Sequence, residues 1–419
     1  MTDVVITGTG IISPLGHSVD RFVNGLRGDA VTIAPAPWTD EARGMFFWYS
    51  AVSGFEPAEW MSPRVAGGTD LFAQWAIAAT RQAVEQSGLG GLDPRRTAVV
   101  HGTSIGGGRA ALKAQHDLDR GGVAAMDRKT LIKIWPNMAA AQISMMYDLH
   151  GPQLTITTAC ASSLDALGHA ADLIRAGRAD VALAGGTEGG YALANGERDG
   201  DFVPALLAGQ IPYGMVTGER DPLRASLPFD RARSGIVTSE GTAMLVLESA
   251  EHVRGRGARV LGRLAGYASL ADAHHPSSPE PSGRWEALAM HEAQAAAGVR
   301  PEDVDALYAH ATATPKGDLA EIRAINSAFA GRATPLPVTS IKGHIGHTGA
   351  SSGAMAVISA LDTMAGGAFP HTAGTRDVDP EAGFHVVTAA PAPVEATVVQ
   401  VNSFGFGGQN ASVVVTRDE

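Results

Sequence analysis

Strand-like and helix-like segments alternate along this chain, and the alternation starts again near its middle. Before residue 251, short apolar runs predict strands at residues 4–7, 97–100, 181–184 and 243–247, with a helix over residues 70–88. After residue 251, further strands and helices follow in the same order without obvious sequence identity, near residues 260–268, 285–297, 304–310, 338–342, 353–364, 398–401 and 412–416. The alternation predicts an α/β protein with largely buried sheets, and the restart predicts an internal structural duplication.

Composition excludes several classes of protein. Apolar residues make up 45% of the 419 residues and charged residues 18%, which provides a sizeable core and excludes a disordered chain. The net charge of −11 argues against general nucleic-acid binding, because that function needs a basic face. The sequence shows neither an export signal nor an apolar stretch long enough for a membrane span, so with one cysteine we expect a cytoplasmic, reducing setting.

Cys160 is the only cysteine, so it cannot form a disulfide within the chain or supply a site with several cysteine ligands. It is either an inert buried thiol or a reactive one. A predicted strand at residues 154–157 precedes it, and a helical run with Leu164, Leu167, Ala171 and Ile174 on one face follows it. A thiol at such a strand-to-helix turn lies at the positive end of a helix, where we expect its pKa to fall.

Two segments in the second half carry histidines at the ends of predicted strands. His310 precedes a proline turn on a rim where loops often carry function, although a capped loop histidine is an equal alternative. In the second segment Lys342 stands five residues before His347, with glycines at 343, 346 and 349 that allow close backbone approach. We interpret His347 as functional and His344 as a surface loop residue.

A fourth segment, residues 402–410, places three glycines and two phenylalanines between predicted strands. This composition is a poor one for an ordinary hairpin. It is typical of a loop whose backbone N–H groups point at a ligand.

Together the four segments resemble the β-ketoacyl-acyl carrier protein synthases of the elongating Cys-His-His type, over nearly the whole chain. The resemblance includes residues 4–16 at the start of the chain, Pro228-Phe229-Asp230-Arg231 and Ser239-Glu240-Gly241. It implies a thiolase-like fold, a duplicated five-layer α-β-α-β-α architecture with two mixed sheets, divided into halves at residues 1–251 and 252–419. It also implies an acyltransferase that needs no cofactor or metal, because its substrates are carried on the phosphopantetheine of an acyl carrier protein.

The resemblance implies the roles of individual residues. Cys160 would accept the acyl group, and the backbone N–H groups of Cys160 and Phe406 would form the oxyanion hole. His310 and His347 would donate hydrogen bonds to the malonyl thioester oxygen during decarboxylation, and Lys342 would hold the local field and pair with Glu321. The remaining implied residues are Thr312 and Thr314 on the pantetheine arm, Phe406 as a gate, Ile105 facing the acyl tail, and Phe404 and Asp318 in support.

Docking of an acidic carrier needs basic residues, and Arg128, Lys129 and Lys133 match part of the family's pattern. Elsewhere the basic pattern is thin: residues 64–69 lack the usual cluster, and Leu227 stands where an arginine is common. Ala311 and Gln409 replace a usual glycine and threonine, changes that bear on the shape of the pocket or the mobility of the loop. The thin docking pattern favours the ketosynthase subunit of a specialised type II polyketide synthase over housekeeping fatty-acid elongation. The partner would be an identical subunit or a homologue resembling a chain-length factor, and the sequence leaves both open.

Other readings of the sequence predict different functions. Gly102-Thr103-Ser104-Ile105-Gly106 follows a strand and fits the G-x-S-x-G elbow of serine hydrolases, with His310 or His347 available as a base. Gly8-Thr9-Gly10 is half of a dinucleotide fingerprint without its third glycine. A scaffold without enzymatic activity predicts that acyl thioesters leave Cys160 unmodified.

Overall fold

The structure, a computed structural model, describes residues 2–36, 38–190 and 205–418. Its strands are β1 Val4–Ile12, β2 Ala34–Pro35, β3 Trp48–Ser50, β4 Thr97–Gly102, β5 Gln153–Ile156, β6 Val181–Glu188, β7 Thr238–Ser239, β8 Gly241–Ser249, β9 Gly262–Ala271, β10 Ala306–Tyr308, β11 Pro337–Thr339, β12 His385–Val386, β13 Val398–Gly405 and β14 Gln409–Thr416. Its α-helices are α1 Val19–Arg27, α2 Pro63–Ala66, α3 Leu71–Ser87, α4 Gly108–Gly121, α5 Thr130–Ile134, α6 Met138–Met146, α7 Ser162–Arg175, α8 Ala205–Ala208, α9 Gln210–Tyr213, α10 Ala250–Arg256, α11 Arg284–Ala297, α12 Pro315–Ala328, α13 Lys342–Ile345 and α14 Ser352–Met364.

Eleven strands form one mixed sheet in the order β12-β11-β10-β13-β14-β9-β1-β8-β6-β4-β5, and β2, β3 and β7 form a small second sheet. From the junction between β9 and β1 outward, both halves have the same strand order. In the first half the order is β1, β8, β6, β4, β5, and in the second half the corresponding strands are β9, β14, β13, β10, β11, with β12 added at the edge. The halves join through a short antiparallel contact of Val5 and Ile6 with Arg263 and Gly262. The duplicated α/β architecture is therefore confirmed, and the repeated order supports a division near residue 251, which stays a prediction.

Helices cover the sheet in layers. Helices α3 and α6 pack on the outer face of the first half, α11 and α12 on the outer face of the second, and α7 and α14 lie between the halves. Strand β1 is buried along its whole length because helices cover both of its faces. Its Gly10 allows α3 to approach, since a Cβ there would lie 1.9 Å from the Ala79 carbonyl oxygen. The paired glycines at residues 8 and 10 thus serve helix–sheet packing, which accounts for the partial dinucleotide fingerprint.

Two predicted strands are shorter than the sequence suggested. The strand expected over residues 304–310 covers Ala306–Tyr308, and His310 lies beyond its end. The strand expected over 338–342 ends at Thr339, and Lys342 begins the short helix α13 instead. That turn is stabilised by the Ser340 hydroxyl, which donates to the Ala311 carbonyl and accepts the Lys342 N–H. Among the helices of the described ranges, none combines the length and the hydrophobicity that crossing a bilayer requires.

Candidate active site

Cys160 lies on a strained elbow between β5 and α7. Ala159 has φ +51°, in the left-handed region that non-glycine residues rarely adopt. Ser162 stabilises the elbow, since its hydroxyl accepts the Thr158 N–H at 2.9 Å and donates to the Ala159 carbonyl at 2.6 Å. Behind the elbow, the buried Asp165 accepts hydrogen bonds from the Thr158 hydroxyl at 2.5 Å and from the Tyr267 hydroxyl at 2.8 Å. The sulfur is thus directed into the interface between the two halves.

Two imidazoles face the thiol. The Cys160 sulfur lies 2.9 Å from Nε2 of His347, and one nitrogen of His310 lies with them in a group whose atoms are all within 4.8 Å of one another. The two imidazole rings have centroids 5.3 Å apart and are nearly perpendicular. Residues 160, 310 and 347, which the sequence separates widely, therefore meet at one point as the resemblance implied.

The pKa of the thiol contradicts the expectation from its helix terminus. Burial raises the pKa of Cys160 to about 12, which outweighs the lowering by Lys342 and by the backbone N–H groups of Cys160 and Phe406. Burial, reinforced by the charge of Lys342, also holds the pKa values of His310 and His347 well below their ordinary value. These shifts favour a neutral thiol facing two neutral imidazoles over a preformed thiolate.

The tautomers of the two histidines differ in how firmly their surroundings fix them. Nδ1 of His310 is buried without a hydrogen-bond partner in the described part of the chain, so its proton is favoured on Nε2, where a donor can face a ligand. Nδ1 of His347 lies 3.2 Å from the Ser352 hydroxyl, which can donate or accept. His347 can therefore carry its proton on either nitrogen.

Lys342 and Glu321 fix the loop that carries His310. The Glu321 carboxylate accepts the N–H groups of His310 at 2.8 Å and Ala311 at 2.6 Å, and the Lys342 ammonium donates to the His310 carbonyl. Within the described ranges Lys342 and Glu321 form no ion pair as close as 4.0 Å; both bind the same piece of backbone, and the charge of Glu321 raises the pKa of Lys342 against the effect of burial. Burial raises the pKa of Glu321 to about 7 and lowers that of Lys342 to about 8.

Several residues beside the His310 loop are also held in restricted conformations or hydrogen bonds. Ala311 has φ +22° and Ala313 has φ +64°, which explains physically why a glycine would suit the first position better. Asp318 accepts the Phe229 N–H at 2.8 Å, and burial raises its pKa to about 6. The hydroxyls of Thr312 and Thr314 are hydrogen-bonded to each other at 3.0 Å, and both residues line the cavity in front of the thiol.

The glycine-rich segment is a hairpin after all, because Gly405 and Gln409 pair at its tip. A Cβ at Gly405 would lie 2.8 Å from the Thr158 carbonyl oxygen and 3.1 Å from the Cys160 nitrogen, so only glycine lets the hairpin approach the elbow. The backbone N–H groups of Phe406 and Cys160 both interact with the sulfur and lower the pKa of the thiol. Phe406 is 44% exposed, whereas Phe404 is buried with its ring centroid 5.9 Å from that of His310.

A cavity of about 740 Å³ opens in front of these groups, with Cys160, both histidines, Ile105 and Phe406 on its wall. Ser104 also lines it, but the Ser104 amide donates to the Glu188 carboxylate at 3.1 Å and its hydroxyl binds the same carboxyl. A nucleophilic serine needs an imidazole there rather than an acid. The serine hydrolase alternative therefore finds no support.

Several predicted and unpredicted residues lie outside the thiol's immediate surroundings. Arg128 and Lys129 are exposed, and Lys133 pairs with Asp127 at 2.6 Å; none of the three lines the cavity. His344 is fully buried between the carbonyls of Ala30 and His371, so its assignment to the surface was wrong.

Sequence reasoning missed three residues near the thiol: Asp165, Ser352 and Ser403. The Ser403 hydroxyl donates to the Cys160 carbonyl at 2.7 Å. Each is an ordinary helix or strand residue, and no local signal could have found it.

One group in the described ranges has the ligand types and spacing for a metal ion, and it consists of Cys160, His310 and His347. Thiolate and imidazole are ligands that zinc accepts, and a catalytic zinc site holds three protein ligands beside one open position. The same three groups also suit a thiol nucleophile that faces two imidazoles.

Comparisons with known proteins point in one direction. The family model described as "Beta-ketoacyl synthase, N-terminal domain" matches residues 1–252, and "Beta-ketoacyl synthase, C-terminal domain" matches residues 261–376. A curated relative, "3-oxoacyl-[acyl-carrier-protein] synthase 2" of Coxiella burnetii, is 32% identical over 99% of this chain and 98% of its own.

Two solved structures cover all of this chain and are themselves covered completely. One is "The ishigamide ketosynthase/chain length factor", with TM-score 0.88 and 30% identity. The other is "AntDE:AntF (apo): type II PKS acyl-carrier protein in complex with its ketosynthase bound to the hexaketide", with TM-score 0.89 and 25% identity.

Proposed function

Because this chain belongs to the β-ketoacyl synthase family, we propose that Cys160 carries the growing chain and that malonyl-carrier extends it by two carbons. The chain is an acyltransferase of thiolase-like fold that condenses chains held on an acyl carrier protein. The observation that carries the proposal is the 2.9 Å contact between the Cys160 sulfur and His347 Nε2, with His310 alongside.

The first step is transfer of the acyl group to Cys160. The thiol proton passes across the short contact to Nε2 of His347 as the sulfur bonds to the thioester carbon. The N–H groups of Cys160 and Phe406 stabilise the oxyanion, and its collapse expels the pantetheine sulfur, which recovers the proton from His347. Proton transfer during attack, rather than a resting thiolate, suits a thiol whose pKa lies near 12.

The second step is decarboxylation of the malonyl thioester. As the bond to the carboxylate breaks and CO₂ leaves, its electron pair forms an enolate whose oxygen accepts hydrogen bonds from Nε2–H of His310 and His347. Neutral imidazoles stabilise this charge without giving up a proton, and the lowered pKa values of both rings keep them neutral. The enolate carbon then attacks the acyl-cysteine, the new C–C bond forms, and the Cys160 sulfur leaves as a thiolate that takes up one proton from solvent to restore the resting thiol.

We further propose that the chain is the ketosynthase subunit of a specialised type II polyketide synthase. The ketosynthase and chain-length-factor structure at 30% identity supports this proposal, as does the thin basic docking pattern at residues 64–69 and at Leu227. Housekeeping fatty-acid elongation is the second candidate, favoured by the 3-oxoacyl-acyl carrier protein synthase at 32% identity.

The proposed partners are an acyl carrier protein and a homologous subunit. Arg128 and Lys129 would contact the acidic carrier. The Lys129 ammonium lies beside Gly68, 3.6 Å from the place that a Cβ would occupy there, and the exposed Arg64 is near the same glycine. The subunit would cover the edge strand β5, where Leu154 is 42% exposed next to α6. That subunit is either an identical chain or a chain-length-factor-like homologue. Assembly of the chain alone, compared with assembly beside a co-expressed homologue, distinguishes the two.

The test is condensation by variants of Cys160. Cys160→Ala should abolish condensation, whereas Cys160→Gln should abolish condensation yet leave malonyl-carrier decarboxylation measurable, because both histidines remain. His310→Ala should show the opposite separation: intact-mass analysis should still detect the acyl-enzyme, but decarboxylation should fall about a hundredfold or more. Condensation at the parental rate by Cys160→Ala would refute the proposed chemistry.

A panel of acyl carriers separates the two pathways. Saturated acyl groups and their β-keto analogues are offered to the wild-type chain, alone and with co-expressed neighbours. Preference for β-keto chains together with a partner supports the polyketide role. Efficient acylation by saturated chains alone supports fatty-acid elongation.

A further inference from the structure

Glu286 is a buried acid on the cavity wall that the chemistry above does not use. It lies in the first turn of α11, is 2% exposed, and lines the same cavity as Cys160. Its carboxyl has no hydrogen bond and no ion pair with any residue in the described ranges, and its Oε2 is completely buried. An unpaired buried polar group is destabilising, so its retention calls for an explanation, and a bound ligand is one.

The charges around Glu286 decide what it can bind. Burial, followed by repulsion from Glu321, Asp272, Glu280 and Asp318, raises its pKa well above the ordinary value. The neutral carboxylic acid is therefore the favoured form of Glu286, and its O–H is a hydrogen-bond donor without an acceptor. The neighbouring carboxyls disfavour an anionic ligand, and an alkyl chain cannot accept a hydrogen bond. An uncharged acceptor, such as a carbonyl or hydroxyl oxygen, satisfies both conditions.

Neighbouring polar groups on the wall are already occupied. Asp272 accepts hydrogen bonds from the Asn410 side chain at 2.6 Å and from the Glu280 N–H at 2.9 Å. Glu188 binds the Ser104 N–H through Oε2. Glu286 alone among these wall acids has neither carboxyl oxygen hydrogen-bonded within the described ranges.

We propose that Glu286 is a substrate-binding residue whose carboxylic acid donates a hydrogen bond to an uncharged acceptor oxygen of the thioester substrate in the cavity. This rests on the proposed function, which brings a thioester to Cys160. The oxygen has two possible sources: a keto or hydroxyl group on the acyl chain, or an amide carbonyl of the pantetheine arm.

The experiment measures the rate of Cys160 acylation by intact mass in three variants of the full chain. Glu286→Ala removes the donor, Glu286→Gln keeps one in the same shape, and Glu292→Ala removes an exposed acid from the same helix as a matched control. One carrier presents a saturated acyl group, its β-keto analogue or its β-hydroxy analogue. We expect Glu286→Ala to lower the rate about three- to tenfold, which is the effect of one neutral hydrogen bond, and Glu286→Gln to lower it less.

The pattern across substrates identifies the source. A loss confined to the oxygenated chains assigns the acceptor to the acyl group, and an equal loss with all three assigns it to pantetheine. Parental rates with all three substrates in Glu286→Ala, or an equal loss in Glu292→Ala, overturn the inference. If even the wild-type chain is not acylated, the proposed function itself fails.

Thermal unfolding separates binding from a structural role. Because Glu286 is unpaired, its removal should leave the melting temperature unchanged or higher even as acylation slows. A lower melting temperature in both Glu286→Ala and Glu286→Gln, with acylation falling in parallel, would show that the residue supports the fold and would overturn the inference.

Discussion

At the scale of single residues, the thiol is the most informative group, because two physical effects on it oppose each other. The backbone N–H groups of Cys160 and Phe406 and the charge of Lys342 favour the thiolate. Removal from water favours the thiol and is the larger effect. The protonated thiol is therefore the favoured form, and in the proposed mechanism His347 takes its proton during attack.

The pH dependence of alkylation tests this balance. A thiol becomes reactive as it ionises, so reactivity rises with pH up to the thiol's own pKa. We expect the rate of iodoacetamide alkylation of Cys160 to keep rising beyond the ordinary value of 9.0, because burial raises the pKa to about 12. A plateau below that ordinary value, in protein that circular dichroism shows to be folded, would mean that a thiolate is already present.

Ser352 is predicted to let His347 act in both steps. The first step needs an unprotonated Nε2 and the second needs Nε2–H, and the Ser352 hydroxyl can satisfy Nδ1 in either state. Ser352→Ala should slow overall condensation about three- to tenfold through loss of that hydrogen bond, and Ser352→Thr should restore part of it. Ser351→Ala is the control, because that buried hydroxyl donates to the Thr348 carbonyl instead. Equal losses in the two alanine variants would contradict the role.

At the scale of elements, the elbow before α7 is held from the other half of the molecule. Asp165, in the first turn of α7, accepts a hydrogen bond from the hydroxyl of Tyr267 in β9 and another from the hydroxyl of Thr158 in the elbow. Such a connection stabilises the strained conformation of Ala159 and with it the position of the Cys160 N–H. Contacts between halves would therefore position the proposed oxyanion hole.

Tyr267→Phe tests this positioning role, because it removes one hydroxyl and little else. We expect the acylation rate to fall about tenfold, since misplaced oxyanion donors are costly, with KM for the acyl carrier unchanged. Alkylation by iodoacetamide needs no oxyanion hole and should be unaffected. Tyr308→Phe is the matched control, because its buried hydroxyl lies between Ser359 and Thr363 of α14. Parallel losses of acylation and alkylation in Tyr267→Phe would indicate a general loss of structure instead.

At the scale of the whole molecule, β5 is an edge strand beside exposed apolar side chains. Leu131 in α5, Trp135 just after it and Met145 in α6 are 61%, 46% and 64% exposed. An open strand edge and exposed apolar side chains invite a partner, because both are costly to leave in water. The proposed subunit interface therefore lies on this side.

Leu154→Lys tests the interface by placing a charge on its edge strand. We expect the proposed dimer to dissociate in light scattering coupled to size-exclusion chromatography, because a buried unpaired charge opposes association. Leu223→Lys, at a residue 58% exposed elsewhere, should leave the assembly unchanged. If the wild-type chain assembles only with a co-expressed homologue, the partner is a different subunit. An assembly of Leu154→Lys identical to the wild type would place the interface elsewhere.

The sequence by itself determined the order of strands and helices, the duplication, and the four segments that carry the thiol, the two histidines and the glycine hairpin. These are local properties, since periodicity and glycine spacing are set by neighbours along the chain. Only the tertiary structure decided the high pKa of Cys160, the binding of Lys342 to a carbonyl rather than to Glu321, and the unpaired acid at Glu286. Desolvation and charge interactions depend on which distant segments surround a group, and no local pattern records that.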